Sequence, residues 1–341
     1  MNNFLRREML LDELLIVDGL PGCGKSLFCS IFSSLERIEI TQYSTTIENL
    51  CAANYSNKIS SDALSSMIKC ELDTLIYHSM MGRNTNFRFD DFSSAFNNKL
   101  FFKYFFRLFS KGNEYIPELI NTKRPILHLT THNLLAYIQP IIDSIGEKLK
   151  IVEIVRHPLY MIIQQSINHQ KFSVDKGLER QFHIMKGSKP FYYEELNINY
   201  EKLNSTERAI YEMNYHFEKT NKFKKMYKGN NILTIPFELF VKDPNPWLRK
   251  ILTFLNTSKG NKTNQILKKQ KIPRKYFADG ISLDIYKKCG WEPSKGNLNE
   301  SEELELRIKY VMDQNVSSES LSLIKKISEN YEKKYNIFNI N

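Results

Sequence analysis

The chain has few of the residues that hold secreted or metal-clustered domains together. Its cysteines are odd in number and form no Cys-x-x-Cys pair, which argues against a disulfide framework and a zinc cluster. We therefore predict a reduced, cytoplasmic protein with no resident metal. Cys23 precedes a predicted helix, and a helix N-terminus lowers the pKa of a thiol, but the interpretation we favour is that Cys23 is only a small residue tolerated in the loop. The cysteines are Cys23, Cys29, Cys51, Cys70 and Cys289.

Long apolar runs are also missing. A helix that crosses a bilayer needs about 20 consecutive apolar residues, and no stretch of this sequence approaches that length. The N-terminal segment carries charges at Arg6, Arg7 and Glu8 before any useful apolar run, which is not the pattern of a signal peptide. We expect neither a membrane span nor a secretion signal.

The composition that is present suits a globular protein with an anionic ligand. Hydrophobic residues make up 42% of the 341 residues, and the formal net charge is +10. A basic protein attracts nucleotides, acidic substrates or nucleic acid, but the sequence has no RNA-binding signature, so no nucleic-acid partner is expected. The length allows one large α/β domain or two smaller ones. We predict a single α/β domain over 1–341.

The most informative stretch is LLIVDGLPGCGKS, residues 14–26. An apolar run, read as a buried strand, leads into the complete pattern G-x-x-x-x-G-K-S, and a helix is predicted to follow. Its glycines permit a tight turn whose N–H groups point inward, and the helix N-terminus adds partial positive charge. Lys25 supplies a full charge and Ser26 a hydroxyl. The stretch predicts a loop that binds a phosphorylated nucleotide.

Further strands are predicted at 125–129, 150–155 and 231–235, with helices between them and a short strand at 36–41. Alternation of this kind is typical of a parallel sheet covered on both faces. We predict a three-layer α/β fold of the P-loop nucleoside-triphosphate-hydrolase kind. Ligands of such sheets bind at the carboxyl ends of the strands, which is where the loop, His132, Arg156 and Phe237 would lie.

Three other segments have distinct patterns. Residues 45–80 have apolar positions at helical spacing, and FFKYFFRLF, within the aromatic stretch 87–109, is predicted to be a buried helix or the lining of a substrate pocket. A charged helical insertion at about 171–230 is expected to cap the site. A helical segment at about 302–336 ends the domain.

Four segments together resemble the sulfotransferases that use 3′-phosphoadenosine 5′-phosphosulfate. GLPGCGKS looks like their 5′-phosphosulfate loop, and LHLTTHNLLAYIQPII is similar to their Thr-His segment. IVEIVRHPLYMIIQQS resembles their 3′-phosphate segment, and ILTIPFELFVKDPNPWLRKILTFL resembles the strand and helices that follow it. The four occur in the family's order and cover most of residues 14–255.

The resemblance implies a nucleotide donor, a hydroxyl or amine acceptor on a small molecule or saccharide, and roles for particular residues. His132 corresponds to the catalytic base, and Lys25 would screen the leaving group. Arg156 corresponds to the 3′-phosphate ligand. Gln164 stands where the family has a serine, and Ser166 follows two residues later. The remaining donor contacts implied are Gly19, Pro21, Gly22, Cys23, Gly24, Ser26, Phe237 in place of an adenine-side tyrosine, and Lys288 near a basic 3′-phosphate segment.

The loop departs from that family in one respect that favours a different enzyme. Gly22 stands where the family usually has a cation, and Lys25 occupies the position that nucleotide kinases use. The alternative is therefore an ATP-dependent small-molecule kinase with Mg²⁺. Against it, neither the strand before Thr130 nor the strand before Arg156 ends in the aspartate that usually holds the metal. The sequence specifies neither the acceptor nor the oligomeric state.

Overall fold

The computed structural model describes residues 4–6, 8–89, 91–112, 114–172, 185–186, 189–279 and 298–338. Five strands form a parallel sheet in the order β2-β3-β1-β4-β7, and two short strands form a separate antiparallel pair. The strands are β1 (Glu13–Asp18), β2 (Gln42–Tyr43), β3 (Ile126–Thr130), β4 (Leu149–Val155), β5 (Met185–Lys186), β6 (Lys189–Pro190) and β7 (Ile232–Pro236).

The helices cover both faces of the sheet. In the described ranges they are α1 (Lys25–Ser33), α2 (Thr45–Tyr55), α3 (Ser61–Met81), α4 (Phe101–Arg107), α5 (Tyr115–Lys123), α6 (Gln139–Ile145), α7 (Pro158–Phe172), α8 (Ser205–Met226), α9 (Phe237–Lys242), α10 (Pro244–Phe254), α11 (Thr263–Lys269), α12 (Glu300–Asp313) and α13 (Ser318–Tyr335).

Alternation along the central strand builds two cores. Leu15 and Val17 pack in one cluster with α1, α7 and α10, while Leu14 and Ile16 pack in a second cluster with α3 and α6. Successive side chains of a strand point to opposite faces, so each of these residues is fully buried, but under a different layer of helices. The predicted fold class, an α/β protein with a parallel sheet between two helical layers, is confirmed.

Two local predictions are wrong. Residues 36–41 form no strand: only Ile38 makes an isolated bridge, to Ile126, and the edge strand is Gln42–Tyr43. The helix in FFKYFFRLF exists as α4, but it is not buried. Tyr104 is enclosed, whereas most of its phenylalanines face outward. Composition alone indicates that a helix is rich in apolar residues. It does not indicate which side of the helix faces the core.

The helical insertion and the C-terminal segment are seen in part. Within 171–230, the described portion contains the β5–β6 pair, short 3₁₀ turns and the long α8, which begins at a capping box formed by Asn204 and Glu207. The C-terminal segment is α12 followed by α13. In the ranges described above, no helix combines the length and apolar character required to cross a bilayer.

Candidate nucleotide and transfer site

The loop between β1 and α1 has the conformation that a phosphate-binding loop requires. Lys25 is buried and its ammonium group donates to the carbonyl oxygens of Gly19 and Leu20, the latter at 3.2 Å. The N-terminus of α1 begins at Lys25, so the helix dipole adds partial positive charge at the same place. The loop can therefore hold an anionic group with main-chain donors and one lysine.

Two glycines in this loop have no room for a side chain. Gly19 has φ +147°, and a Cβ there would collide with the carbonyl oxygen of Ile154. Gly24 has φ +99°, and a Cβ there would collide with the ring of Phe237. Both the left-handed backbone and the close neighbours exclude other residues. Phe237, at the start of α9, is thus packed directly against the phosphate loop.

Cys23 does not have the reactive thiol that its position suggested. The residue is buried among core side chains, and burial raises the pKa of its thiol despite the nearby charge of Lys25. A thiol with a raised pKa is protonated at neutral pH and is a poor nucleophile. Cys23 therefore contributes its small size to the turn, where its backbone N–H donates to the carbonyl oxygen of Leu20 at 3.1 Å, in agreement with the interpretation that it is a small residue tolerated in the loop.

Arg156 follows β4 and lies against the same loop. Its Nη1 donates to the carbonyl oxygen of Gly22 at 3.0 Å, and its guanidinium carbon is 4.3 Å from the centre of the Phe237 ring and 5.4 Å from that of Tyr160. Burial lowers the pKa of Arg156, although the carboxylate of Glu238 opposes this effect. The structure thus brings together the loop, Arg156 and Phe237.

Arg274 is a second guanidinium at this place, which the sequence analysis missed. It lies 5.4 Å from the Phe237 ring centre, and its Nη2 donates to the carbonyl oxygen of Gln270 at 3.2 Å. Burial and the charge of Arg156 lower its pKa to about 9, which leaves it protonated at neutral pH. The only signal in the sequence is its position in a basic segment, and the resemblance implies Lys288 as the cation near the 3′-phosphate. Lys288 lies outside the described residues.

Among the described residues, neither Arg156 nor Arg274 forms an ion pair, and their buried Nε atoms have no hydrogen-bond acceptor there. The carboxylates nearest in effect are Glu238, which raises the pKa of Arg156, and Asp279, which raises that of Arg274. In both arginines the effect of burial is larger. Partly buried positive charges are costly unless an anion compensates them. Two such groups beside one aromatic ring make a positively charged candidate site for an anion, in contact with the phosphate loop at Gly22.

Helix α7 presents Gln164, and not Ser166, to the phosphate loop. A Cβ built on Gly22 would lie 3.2 Å from Gln164 Oε1, and Gln165 Nε2 donates to the carbonyl oxygen of Pro21 at 3.1 Å. Ser166 is buried on another side of the helix, where its hydroxyl bonds to the hydroxyls of Thr206 at 2.6 Å and Tyr310 at 3.2 Å. Residues two apart on a helix face nearly opposite directions, so the structure does not bring Ser166 to the loop.

His132 lies beyond β3 and is oriented by two residues that the sequence analysis missed. Glu48 Oε1 accepts from the backbone N–H of His132 at 2.5 Å and lies 3.2 Å from its Nδ1. The ring of Tyr43 stacks on the imidazole with centres 5.9 Å apart and planes 9° apart. A carboxylate accepts hydrogen bonds, so a proton on Nδ1 makes this contact a hydrogen bond, and in that tautomer Nε2 is the basic nitrogen. This is the tautomer that a general base needs.

Asp18 connects the phosphate loop to the segment that carries His132. It is buried, and its carboxylate accepts from Thr131 Oγ1 at 2.8 Å and from the backbone N–H groups of Leu134 and Leu135 at 3.0 and 2.7 Å. These three bonds occupy the carboxylate and fix residues 131–135 against the end of β1. Asp18 therefore has a structural role. It is the carboxylate closest to the loop in sequence, and these bonds argue against it as a ligand for a metal ion.

Small cavities line the edge of the sheet between these groups. One, of about 20 Å³, is bordered by Gly19, Cys23 and Arg156, and another, of about 40 Å³, by Glu48 and His132. Asn133 and His216 border both cavities. The loop side and the histidine side are therefore neighbours, separated by two side chains. A larger cavity of about 130 Å³ lies between α8 and α13 and includes none of the predicted site residues.

Comparison with known proteins gives structural similarities only. No family model matches the chain, and no curated protein matches it in sequence. Among solved structures, sulfotransferase STF9 from Mycobacterium avium is 12% identical, with a TM-score of 0.41 over 96% of this chain and 78% of that one. A sulfotransferase domain from the curacin biosynthetic pathway is 10% identical, with a TM-score of 0.43 over 89% and 98%. The sulfotransferase domain of the Synechococcus PCC 7002 olefin synthase is 10% identical, with a TM-score of 0.40 over 90% and 97%.

Proposed function

We propose that the protein is a sulfotransferase that moves a sulfuryl group from 3′-phosphoadenosine 5′-phosphosulfate to a hydroxyl or amine. The observation that carries this proposal is the pair Arg156 and Arg274 beside Phe237, where Arg156 and Phe237 contact the phosphate loop. A nucleotide with one phosphate group at its 5′ end and a second at its 3′ position needs two anion sites separated by a sugar and a base. Main-chain donors and Lys25 supply the first site, and the two arginines supply the second.

The transfer can be described with this chain's residues. The acceptor O–H or N–H loses its proton to Nε2 of His132, and the acceptor atom forms a bond to sulfur. The bond between sulfur and the bridging phosphate oxygen breaks, and adenosine 3′,5′-bisphosphate leaves. Lys25 and the N–H groups at the start of α1 stabilise the charge that develops on the leaving phosphate. Glu48 holds the imidazole in the tautomer that can accept the proton and stabilises the imidazolium that results.

The kinase alternative is less well supported by the site. Lys25 stands where kinases have their lysine, but the β-strand ends near the loop carry Thr131, His132 and Arg156 in place of a metal-holding aspartate. Asp18 is engaged by three hydrogen bonds.

Calorimetric titration distinguishes the two enzymes directly. The purified chain is titrated with adenosine 3′,5′-bisphosphate and, in parallel, with ATP and Mg²⁺. We expect tight binding of the bisphosphate and weak binding of ATP. Magnesium-dependent ATP binding without bisphosphate binding would contradict the proposal and support the kinase. With the donor established, mass spectrometry of candidate phenols, alcohols, amines and saccharides would identify the acceptor by the mass of one added sulfuryl group.

A further inference from the structure

Helix α4 is held on the protein by its polar side. Tyr104 is buried and its hydroxyl donates to Glu39 Oε2 at 2.9 Å, and the two terminal nitrogens of Arg107 donate to the same carboxylate at 2.5 and 2.9 Å. Lys103 Nζ adds a longer contact to Glu39 at 3.4 Å. An ordinary surface helix buries its apolar stripe and exposes its charges. In α4 the charged and hydroxyl groups point inward, so its phenylalanines are turned outward.

The result is an aromatic face of unusual extent. Phe102, Phe106 and Phe109 recur at helical spacing and are 70%, 63% and 74% exposed, and Phe89 beside them is 76% exposed. Neighbouring ring centres along the face lie 4.2 to 6.4 Å apart, so the rings form one continuous surface. Contiguous exposed apolar surface of this kind marks an interaction site. The aromatic face consists of Phe89, Phe96, Phe101, Phe102, Phe105, Phe106 and Phe109.

Basic side chains surround the aromatic face. Residues 88–111 contain five basic and two acidic residues. Lys103 and Arg107 pair with Glu39, and the other three, Arg88, Lys99 and Lys111, are exposed. Lys269, at the end of α11, donates to the backbone carbonyl of Asn97 at 2.9 Å and so places the basic end of that helix beside the face. Aromatic rings flanked by lysine and arginine are the combination that binds at the surface of an anionic bilayer.

We propose that the aromatic face docks on an anionic membrane surface, with the phenylalanines at the level of the lipid headgroups and the basic residues at the lipid phosphates. A second copy of the chain fits the same face less well. Symmetric pairing would bring the exposed cations of two copies, each with a net charge of +10, against one another. An anionic lipid surface provides both an apolar boundary for the rings and countercharge for the lysines. This inference is independent of the reaction that the protein catalyses.

Vesicle cosedimentation tests the proposal. The full chain is mixed with vesicles of phosphatidylcholine alone or with added phosphatidylglycerol. We expect binding only to the anionic vesicles, weakened by added salt. The triple variant Phe102→Ser/Phe106→Ser/Phe109→Ser should lose at least about tenfold in vesicle binding, because three rings no longer enter the interface. It should remain folded, since these rings are mostly exposed.

A matched control triple, Phe4→Ser/Leu5→Ser/Met226→Ser, removes residues that are 70 to 71% exposed elsewhere on the chain. It should bind vesicles like the unmodified protein. A Phe106→Trp variant should add fluorescence that shifts to shorter wavelength on anionic vesicles. Equal vesicle binding by both triple variants, or no binding by the unmodified protein, would overturn the proposal. A dimer in sedimentation experiments that becomes a monomer in the Phe102/Phe106/Phe109 variant would assign the face to a second copy instead.

Discussion

The guanidinium carbon of Arg156 lies 4.3 Å from the centre of the Phe237 ring while Nη1 of the same group donates to Gly22 of the phosphate loop at 3.0 Å. Arg156 and Phe237 directly follow two neighbouring strands, β4 and β7, whose last residues are paired with each other. The parallel sheet thereby brings a cation, an aromatic ring and the phosphate loop into direct contact. That arrangement is the basis of the nucleotide-binding proposal.

Removing either arginine should weaken binding of a 3′-phosphorylated nucleotide selectively. A charge-assisted hydrogen bond contributes about 1.5–3 kcal/mol, so Arg156→Ala and Arg274→Ala should each weaken adenosine 3′,5′-bisphosphate by about 10- to 150-fold. Binding of adenosine 5′-phosphate, which lacks the 3′ group, should change far less. Calorimetric titration of both nucleotides measures the difference. Arg208→Ala is the control, because Arg208 also stacks on an aromatic ring, Tyr200, at 4.2 Å. Equal weakening of both nucleotides would remove the arginines from this role.

Gly24→Ala should damage the phosphate loop more than a typical glycine substitution. Gly82 has φ +79° and ψ +6°, and a Cβ there would meet the side chains of Arg107 and Leu108 at 3.3 Å, so Gly82→Ala costs chiefly the left-handed backbone, about 1–2 kcal/mol. At Gly24, which is also left-handed, this backbone cost is joined by a collision with the Phe237 ring. We expect a larger fall in thermal stability for Gly24→Ala and a loss of nucleotide affinity that Gly82→Ala does not show. Thermal unfolding and titration of the two variants provide the test, and matched behaviour would mean that Phe237 simply moves aside.

His132→Ala should reduce turnover by about 10²- to 10⁴-fold while leaving donor binding nearly unchanged, as loss of a general base does. Glu48→Gln should also lower kcat, because an amide at this place can hydrogen bond to Nδ1 in either tautomer and no longer stabilises the imidazolium. The donor KM should stay similar in both variants. Steady-state kinetics with the identified acceptor separates the two constants. Full activity in His132→Ala would exclude it as the base.

The sequence was sufficient to predict that the candidate residues that follow strands lie together. An apolar run ending at residue 17, 155 or 235 predicts where a parallel sheet presents its carboxyl edge, and the loop, Arg156 and Phe237 lie there in contact. Glu48 and Arg274 could not be found in this way. Glu48 lies on a helix and Arg274 in an irregular segment. The contact of Glu48 with His132 joins residues that are 84 positions apart in the sequence. No local period encodes such a pairing.

Helix α4 shows the same limit of sequence analysis, because the prediction that it is buried is wrong. Its composition predicts burial, because large apolar side chains usually face the core. The side that faces inward is decided by Tyr104 and Arg107, which reach Glu39 more than 60 residues earlier in the chain. A buried carboxylate that requires partners therefore overrides the apolar preference of the phenylalanines. Only the folded structure shows that Glu39 is the partner.

Glu39 should make the stability of the protein sensitive to acid. Burial alone would raise the pKa of Glu39, but the charges of Lys103 and Arg107 and the hydrogen bonds from Arg107 and Tyr104 hold it well below its ordinary value. A carboxyl with a lowered pKa in the folded state stabilises that state above its unfolded pKa of about 4.3, and the stabilisation is lost as the pH falls toward the folded pKa. The free energy of unfolding should therefore fall between about pH 5 and pH 2.

Glu39→Gln isolates this contribution. Breaking a buried ion pair costs about 3–5 kcal/mol, so the variant should be less stable than the unmodified protein at pH 7 by an amount of that order. The gap between the two should narrow on acidification, because protonation of Glu39 removes the same charge that the substitution removes. Urea unfolding at several pH values measures both curves, with Glu118→Gln on an exposed carboxylate as a control expected to have little effect at pH 7. Curves that stay parallel down to pH 2 would show that the charge of Glu39 does not hold α4 in place, and the outward orientation of its phenylalanines would then need another cause.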